Sequence, residues 1–144
     1  MYEFLDYETR DVMTRDPVTI GLERTLADAE SLFEEHGFNA LPVVDAGECL
    51  VGLVTSLDLL RAFDFAEDTI LPPYEQVMQR RVEEVMTRDV LTVCPMTPLQ
   101  RVVEKIVDTR NKSFPVLDGD RVVGVVARED VMLALRQGVE GRRP

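Results

Sequence analysis

Apolar and polar positions along this chain follow a pattern that occurs twice. In the first occurrence Val18 to Ile20 is a short run of β-favouring residues. Leu26, Ala29, Leu32 and Phe33 then recur at the three-and-four spacing of a helix face, with Thr25 placed to cap its start and Gly37 to end it. Two further apolar runs, Leu41 to Val44 and Cys49 to Val54, are separated by Asp45-Ala46-Gly47-Glu48, which is hairpin chemistry. Leu57, Leu59, Leu60 and Phe63 mark a second helix. The predicted order is strand, helix, strand, strand, helix.

The second occurrence repeats that order. Thr97-Pro98-Leu99-Gln100 places a threonine cap, a proline at the first helical position and a glutamine at the third, ahead of the stripe Leu99, Val102, Val103 and Ile106. Asp118-Gly119-Asp120 repeats the hairpin turn, and Val131, Met132 and Leu135 repeat the last helix. The similarity extends to residue identity. Val12 to Phe63 and Val85 to Leu135 both open with VMTRD, and an offset of 73 that becomes 72 after a gap at Ala46 yields 16 identities in 51 aligned positions. An internal duplication follows, and repeated units bury their apolar faces against one another, often around a pseudo-twofold cleft. The organisation expected is a first repeat over 1–63 (core 12–63, N-terminal segment 1–11), a linker over 64–81, and a second repeat over 82–144 (core 85–135, frayed tail 136–144). The linker carries Asp64, Glu67 and Asp68, a Pro72-Pro73 break and a helix-favouring run from Tyr74 to Arg81. Its acidic group reads as solvated, and no metal site is predicted.

Composition narrows the classes of function. With 45% hydrophobic residues among 144, the chain can bury one shared core. Sixteen basic against 27 acidic side chains leave a formal charge of −11, which repels nucleic-acid backbone and anionic membrane, so neither is expected as a partner. No apolar run is long enough to span a bilayer, and the first residues, MYEFLDYETRD, are acidic where a secretory signal would be basic and then apolar, so a cytoplasmic location is expected. Cys49 and Cys94 have no metal-ligand or CxxC spacing and read as reduced thiols, while Met13 and Met86 read as core or cleft wall. His36, the only histidine, falls in the last turn of the first helix, where a cation suits the helix dipole. No nucleophilic triad, GxxxxGK[ST] loop or GxGxxG is present, so no enzyme is predicted and no cofactor is required.

The most informative chemistry lies in the closing segments, Gly52-Leu53-Val54-Thr55-Ser56-Leu57-Asp58 and Gly124-Val125-Val126-Ala127-Arg128-Glu129-Asp130. Thr55 stands where a strand passes into a helix, and two readings fit it. Its hydroxyl and the free amides of the first turn can hold a phosphate while Asp58 accepts the hydroxyls of a ribose, or Thr55 and Asp58 form a capping box that satisfies the backbone alone. The second copy has Ala127 at the threonine position yet keeps Asp130, which points to a use for the carboxylate beyond capping.

The tandem units, with VMTRD, Phe38-Asn39-Ala40-Leu41-Pro42-Val43-Val44 and the closing segment in this order and spacing, resemble the CBS domain family, named for cystathionine β-synthase. The resemblance covers Val12 to Phe63 and Val85 to Leu135. It implies an α+β (mixed α/β) fold, a tandem CBS-domain pair or Bateman module of two β-α-β-β-α repeats with pseudo-twofold symmetry. It further implies a non-catalytic regulatory module that binds an adenine nucleotide (AMP, ADP or ATP) between the repeats. Carried over residue by residue, one site would use Thr19 and Ile20, Asn39, Ala40, Leu41 and Pro42, then Thr55 and Asp58. The other would use Thr92 and Val93, Lys112, Ser113, Phe114 and Pro115, then Asp130; the sequence departs from the pattern at Ala127, where Arg128 and Lys112 add positive charge that either replaces the lost hydroxyl as a phosphate clamp favouring ATP or ADP or is solvated surface charge. Alternatives are an S-adenosylmethionine binder and a ligand-free structural dimerisation module. A disc-like homodimer through the last helix of each repeat is expected, because Leu57, Leu59, Leu60 and Phe63 cover too wide an arc for one buried stripe, and a protein target is the natural recipient of the signal.

Overall fold

A computed structural model describes residues 2–63 and 73–139. In chain order these form α1 (Tyr2–Asp6), α2 (Thr9–Val12), β1 (Thr14–Arg15), β2 (Ile20–Gly21), α3 (Leu26–His36), β3 (Ala40–Val44), β4 (Leu50–Thr55) and α4 (Ser56–Arg61). There follow α5 (Tyr74–Met78), α6 (Val82–Val85), α7 (Leu99–Thr109), β5 (Ser113–Asp118), β6 (Arg121–Ala127) and α8 (Arg128–Val139). The fold is mixed α/β, and the predicted strand-helix-strand-strand-helix order is present in both copies. In the second copy the first strand is reduced to a parallel bridge between Val93 and Val116. Asp64, Glu67, Asp68, Pro72 and the last five residues of the tail lie outside the described residues.

The chain divides into two compact units whose borders do not follow the sequence repeats. One is Val18–Val90; the other joins Met1–Pro17 to Leu91–Pro144. In the first unit the sheet order is β2-β3-β4, with β2 parallel to β3 and β3 antiparallel to β4. Thr87 lies along the free edge of β4, where it and Leu53 exchange two backbone hydrogen bonds of 2.8 Å. In the second unit the order is β1-β6-β5, and β1 sets Thr14 opposite Val125 and Arg15 opposite Gly124. Thr14 and Thr87 hold the same place in the two VMTRD segments. Each VMTRD therefore completes the sheet of the other repeat.

The glycine of the closing segment is what permits this close approach. A Cβ on Gly52 would stand 2.7 Å from Met86 Sδ and 2.9 Å from the Thr87 carbonyl oxygen; on Gly124 it would stand 2.8 Å from both Met13 Sδ and the Thr14 carbonyl oxygen. Met86 belongs to the core of its unit, and Met13 packs against the core of the other, which is, of the two roles read from sequence, the core one.

The helices follow local signals in one copy and tertiary contacts in the other. Thr25 caps α3 by accepting from the Asp28 amide at 3.2 Å, and the Asp28 carboxylate in turn accepts from the Thr25 amide at 3.0 Å. That backbone bond is the main cause holding the Asp28 carboxyl below its ordinary pKa. Gly37 ends the helix at φ 68°, in the left-handed region where glycine costs least. Leu26, Ala29 and Phe33 are buried as the pattern predicts, with Leu32 packed beside them.

In α7 the predicted cap is not formed. Pro98 is the N-cap, with φ −56° and ψ 137°, and makes no side-chain cap bond. The Thr97 hydroxyl instead accepts from the Cys94 amide at 2.9 Å. The reason is an antiparallel bridge between Glu8 and Pro98. It ties Thr97 O to the Thr9 amide at 2.9 Å and Tyr7 O to the Leu99 amide at 3.0 Å, which moves the helix start one residue along.

The other unit has the same bridge, Thr25 to Arg81, with Leu26 N to Arg80 O at 2.9 Å and Val82 N to Arg24 O at 2.7 Å. The N-terminal segment and the run from Tyr74 are thus the same element in two copies. Phe4 and Tyr7 enter one core as Val77, Met78 and Val82 enter the other. The trace in the sequence was the adjacent apolar pair Phe4-Leu5 and its counterpart Val77-Met78, at the same offset of 73 as the two VMTRD segments.

Candidate functional site

Each set of predicted site residues is drawn together within a single unit. In the Val18–Val90 unit, β-pairing sets Ala40 directly opposite Thr55 and Ile20 beside Val43. The Asn39 carbonyl accepts from the Ser56 amide at 2.9 Å, so the start of β3 is fastened to the start of α4. Thr19 is half-buried and Asn39 exposed at the rim. Leu41 is fully buried and Pro42 is buried with it, so their side chains serve the core, and Ala40 is the half-buried residue of this strand.

Asp58 is 4% exposed and rich in donors. Its Oδ2 accepts from the Thr55 amide at 2.9 Å and from the Thr55 hydroxyl at 3.0 Å, while Thr55 Oγ1 accepts from the Asp58 amide at 3.1 Å. The capping-box reading of this pair is therefore realised. A further donor was not anticipated: the Thr87 hydroxyl, on the exchanged segment, lies 3.2 Å from Oδ1 and 3.4 Å from Oδ2 of Asp58. The repeated threonine of VMTRD was its only trace in the sequence.

The copy around Asp130 has the same scaffold and different chemistry. Ser113 pairs with Ala127, Val93 lies parallel to Val116, and the Lys112 carbonyl accepts from the Arg128 amide at 3.0 Å. Phe114 and Pro115 are buried, Thr92 and Ser113 half-buried, and Lys112 exposed. Asp130 is half-buried and accepts from the Ala127 amide at 2.8 Å, with no hydroxyl at 127 to add a second bond. Burial is the main cause that raises its carboxyl above the ordinary range; the Ala127 amide works against it and the Glu129 charge with it. The Arg128 guanidinium donates to the carbonyl oxygens of Asn111, at 3.0 Å, and Arg110, which is the left-handed C-cap of α7. Arg128 thus ties off a helix end, a use that sequence reading of it as a phosphate clamp did not anticipate.

Thr19 and Ile20 also line a cavity of about 440 Å³, together with Gly21, Arg24, Asp28 and Ser31. Its polar rim is occupied by the Arg24–Asp28 ion pair at 3.1 Å. His36 stands 3.8 Å from Glu35 and stacks on Phe38. Both cysteines are free thiols, Cys94 exposed and Cys49 half-buried. Among the described residues no helix is long and apolar enough to cross a membrane, and no group of three His, Cys, Asp or Glu is placed to hold a metal.

The profile of the CBS domain matches residues 10–64 and 82–137, and the chain belongs to that family. AcuB of Vibrio cholerae superposes with a TM-score of 0.82 at 28% identity, over 96% of this chain and 98% of that one. The crystal structure of CBSX2 in complex with AMP superposes at 0.78 with 27% identity, over 92% and 98%. The CBS domain pair of MJ0100, in complex with 5′-methylthioadenosine and S-adenosyl-L-methionine, superposes at 0.72 with 30% identity, over 92% and 98%. The L-aspartate semialdehyde sulfurtransferase of Methanocaldococcus jannaschii is 32% identical over 123 residues, which are 85% of this chain and 22% of that protein. The chain thus spans about a fifth of the length of that relative.

Proposed function

We propose that this protein is a non-catalytic sensor that binds adenosine-containing ligands through the Asp58 and Asp130 copies. Occupancy is passed to a protein target in the cytoplasm. The observation that carries the reading is the carboxylate kept at the same strand-to-helix junction in both copies, in a chain whose structural relatives hold AMP or S-adenosylmethionine. A carboxylate beside the opposing strand's backbone suits a ribose diol, and the neighbouring strand edge supplies the amides and carbonyls that an adenine ring recognises. Calorimetric titration with AMP, ADP, ATP, S-adenosylmethionine and 5′-methylthioadenosine tests it. Saturable heat with at least one of the five is expected. Absence of heat with all five overturns the reading and leaves a ligand-free structural module.

The association reading rests on a separate observation. Leu57 and Leu60 on α4 are 51% and 60% exposed, and Met132 and Leu133 on α8 are 63% and 42% exposed. Apolar side chains grouped on the last helix of each repeat favour burial against a second copy. Light scattering at micromolar concentration is expected to return twice the chain mass, and Leu60→Glu to return the single-chain mass.

A further inference from the structure

The two copies of the proposed site are unequal in a way that the missing hydroxyl at Ala127 explains. Asp58 accepts from the Thr55 amide, the Thr55 hydroxyl and the Thr87 hydroxyl, and is 4% exposed. Three donors of the chain itself already address that carboxylate. Asp130 is half-buried and its Oδ2 accepts one bond, from the Ala127 amide. The two hydroxyls that close Asp58 have no working counterparts: Ala127 stands for Thr55, and Thr14, which stands for Thr87, is exposed and makes no bond to Asp130.

We infer that the Asp130 copy is the one open to the adenosine ligand, and that Thr87 latches the Asp58 copy shut. The inference rests on the proposed adenosine binding and specifies where it occurs first. A ribose hydroxyl donating to Asp130 adds a bond to a carboxylate that has capacity for it. At Asp58, which is 4% exposed, the same hydroxyl must compete with three donors of the chain itself, so it contributes less net affinity. The raised pKa of Asp130 points the same way, since burial without enough donors disfavours its charge and a ligand hydroxyl would relieve that cost. Helix length adds to the difference: α8 has 12 residues and α4 has 6, so the fuller dipole lies behind Asp130. Ala127, which looked like a defect of the second site, is what leaves its carboxylate available. Thr87 becomes a specificity-determining residue that acts through Asp58.

Calorimetry on the full chain, with AMP and with S-adenosylmethionine as probes, tests the assignment through stoichiometry. Wild type is expected to bind one equivalent tightly. Asp130→Asn should weaken that equivalent about tenfold or more, the loss that follows from weakening a charge-assisted hydrogen bond. Asp58→Asn should cost that equivalent less affinity than Asp130→Asn does. Thr87→Val should reveal or strengthen a second equivalent, and Thr87→Ser, which restores a hydroxyl, should suppress it again. A merely structural Thr87 would change melting temperature without changing stoichiometry. Tight binding that is lost in Asp58→Asn and kept in Asp130→Asn overturns the inference, as do two equal sites in wild type. No binding of either probe by wild type or any variant overturns the adenosine reading itself, a separate result. If Asp130→Asn fails to fold, Asp130→Glu, which displaces the carboxylate but keeps its charge, should still lose the tight equivalent.

Discussion

Gly52→Val is expected to destabilise the protein by about 3 kcal/mol, the upper part of the range for overpacking a filled interior. The Cβ alone would meet the Thr87 carbonyl at 2.9 Å and Met86 Sδ at 2.7 Å. The methionine can swing away, but the carbonyl cannot. Thr87 and Leu53 exchange two backbone bonds of 2.8 Å, so moving that carbonyl opens both and draws the Thr87 hydroxyl off Asp58. Gly124→Val should act in the same way in the other unit, through the Thr14 carbonyl at 2.8 Å. Urea denaturation checks both. A loss below about 1 kcal/mol in either would mean that the exchanged segment is loosely held.

Cutting the chain at the borders of the sequence repeat should be more damaging than cutting it at the borders of the structural unit. A fragment of residues 18–90 is contiguous and contains β2, β3, β4, α3 and α4, with α5, α6 and the Thr87 edge that complete its sheet and core. It is expected to melt cooperatively. A fragment of residues 1–63 has the same sheet but lacks Val77, Met78, Val82 and Met86, four side chains at 9% exposure or less. At about 1.5 to 3 kcal/mol for each large apolar side chain left uncovered, that loss equals a typical domain's whole stability. Circular dichroism and thermal melting of the two fragments decide the matter. A cooperative transition for 1–63 and none for 18–90 would show that the exchange is dispensable.

The capping at Asp58 limits what its mutation can reveal alone. Removing the buried carboxylate leaves the half-buried Thr55 amide without its partner, so stability falls along with any binding. Asparagine keeps the shape and one acceptor oxygen, which is why it is the better probe at both aspartates.

What the sequence determined by itself is everything that depends on short-range pattern. Thr25, Gly37 and the stripe of Leu26, Ala29 and Phe33 define α3 because cap, stop and period lie within twelve residues of one another. The runs before and after Asp45 and Gly119 define two hairpins for the same reason, and the duplication with its closing segments was enough to point to the CBS domain. Which residues meet at the candidate sites was also legible, since β-pairing places Ala40 against Thr55 and Ser113 against Ala127 once the hairpins exist.

Tertiary structure alone decided the rest, and each case involves partners far apart in the chain. Thr97 gave up its capping role because residues 7–9, some ninety positions away, form a bridge that takes its carbonyl. The Arg128 guanidinium meets the end of α7 because the carbonyls of Arg110 and Asn111, some eighteen positions back in the chain, lie within its reach. Thr87 reached Asp58 because the VMTRD of one repeat completes the sheet of the other, a pairing that hydrophobic periodicity does not encode. Local pattern records which face of an element is apolar. Only the packed chain settles which distant segment covers it, and in this protein that segment brings the Thr87 hydroxyl to Asp58.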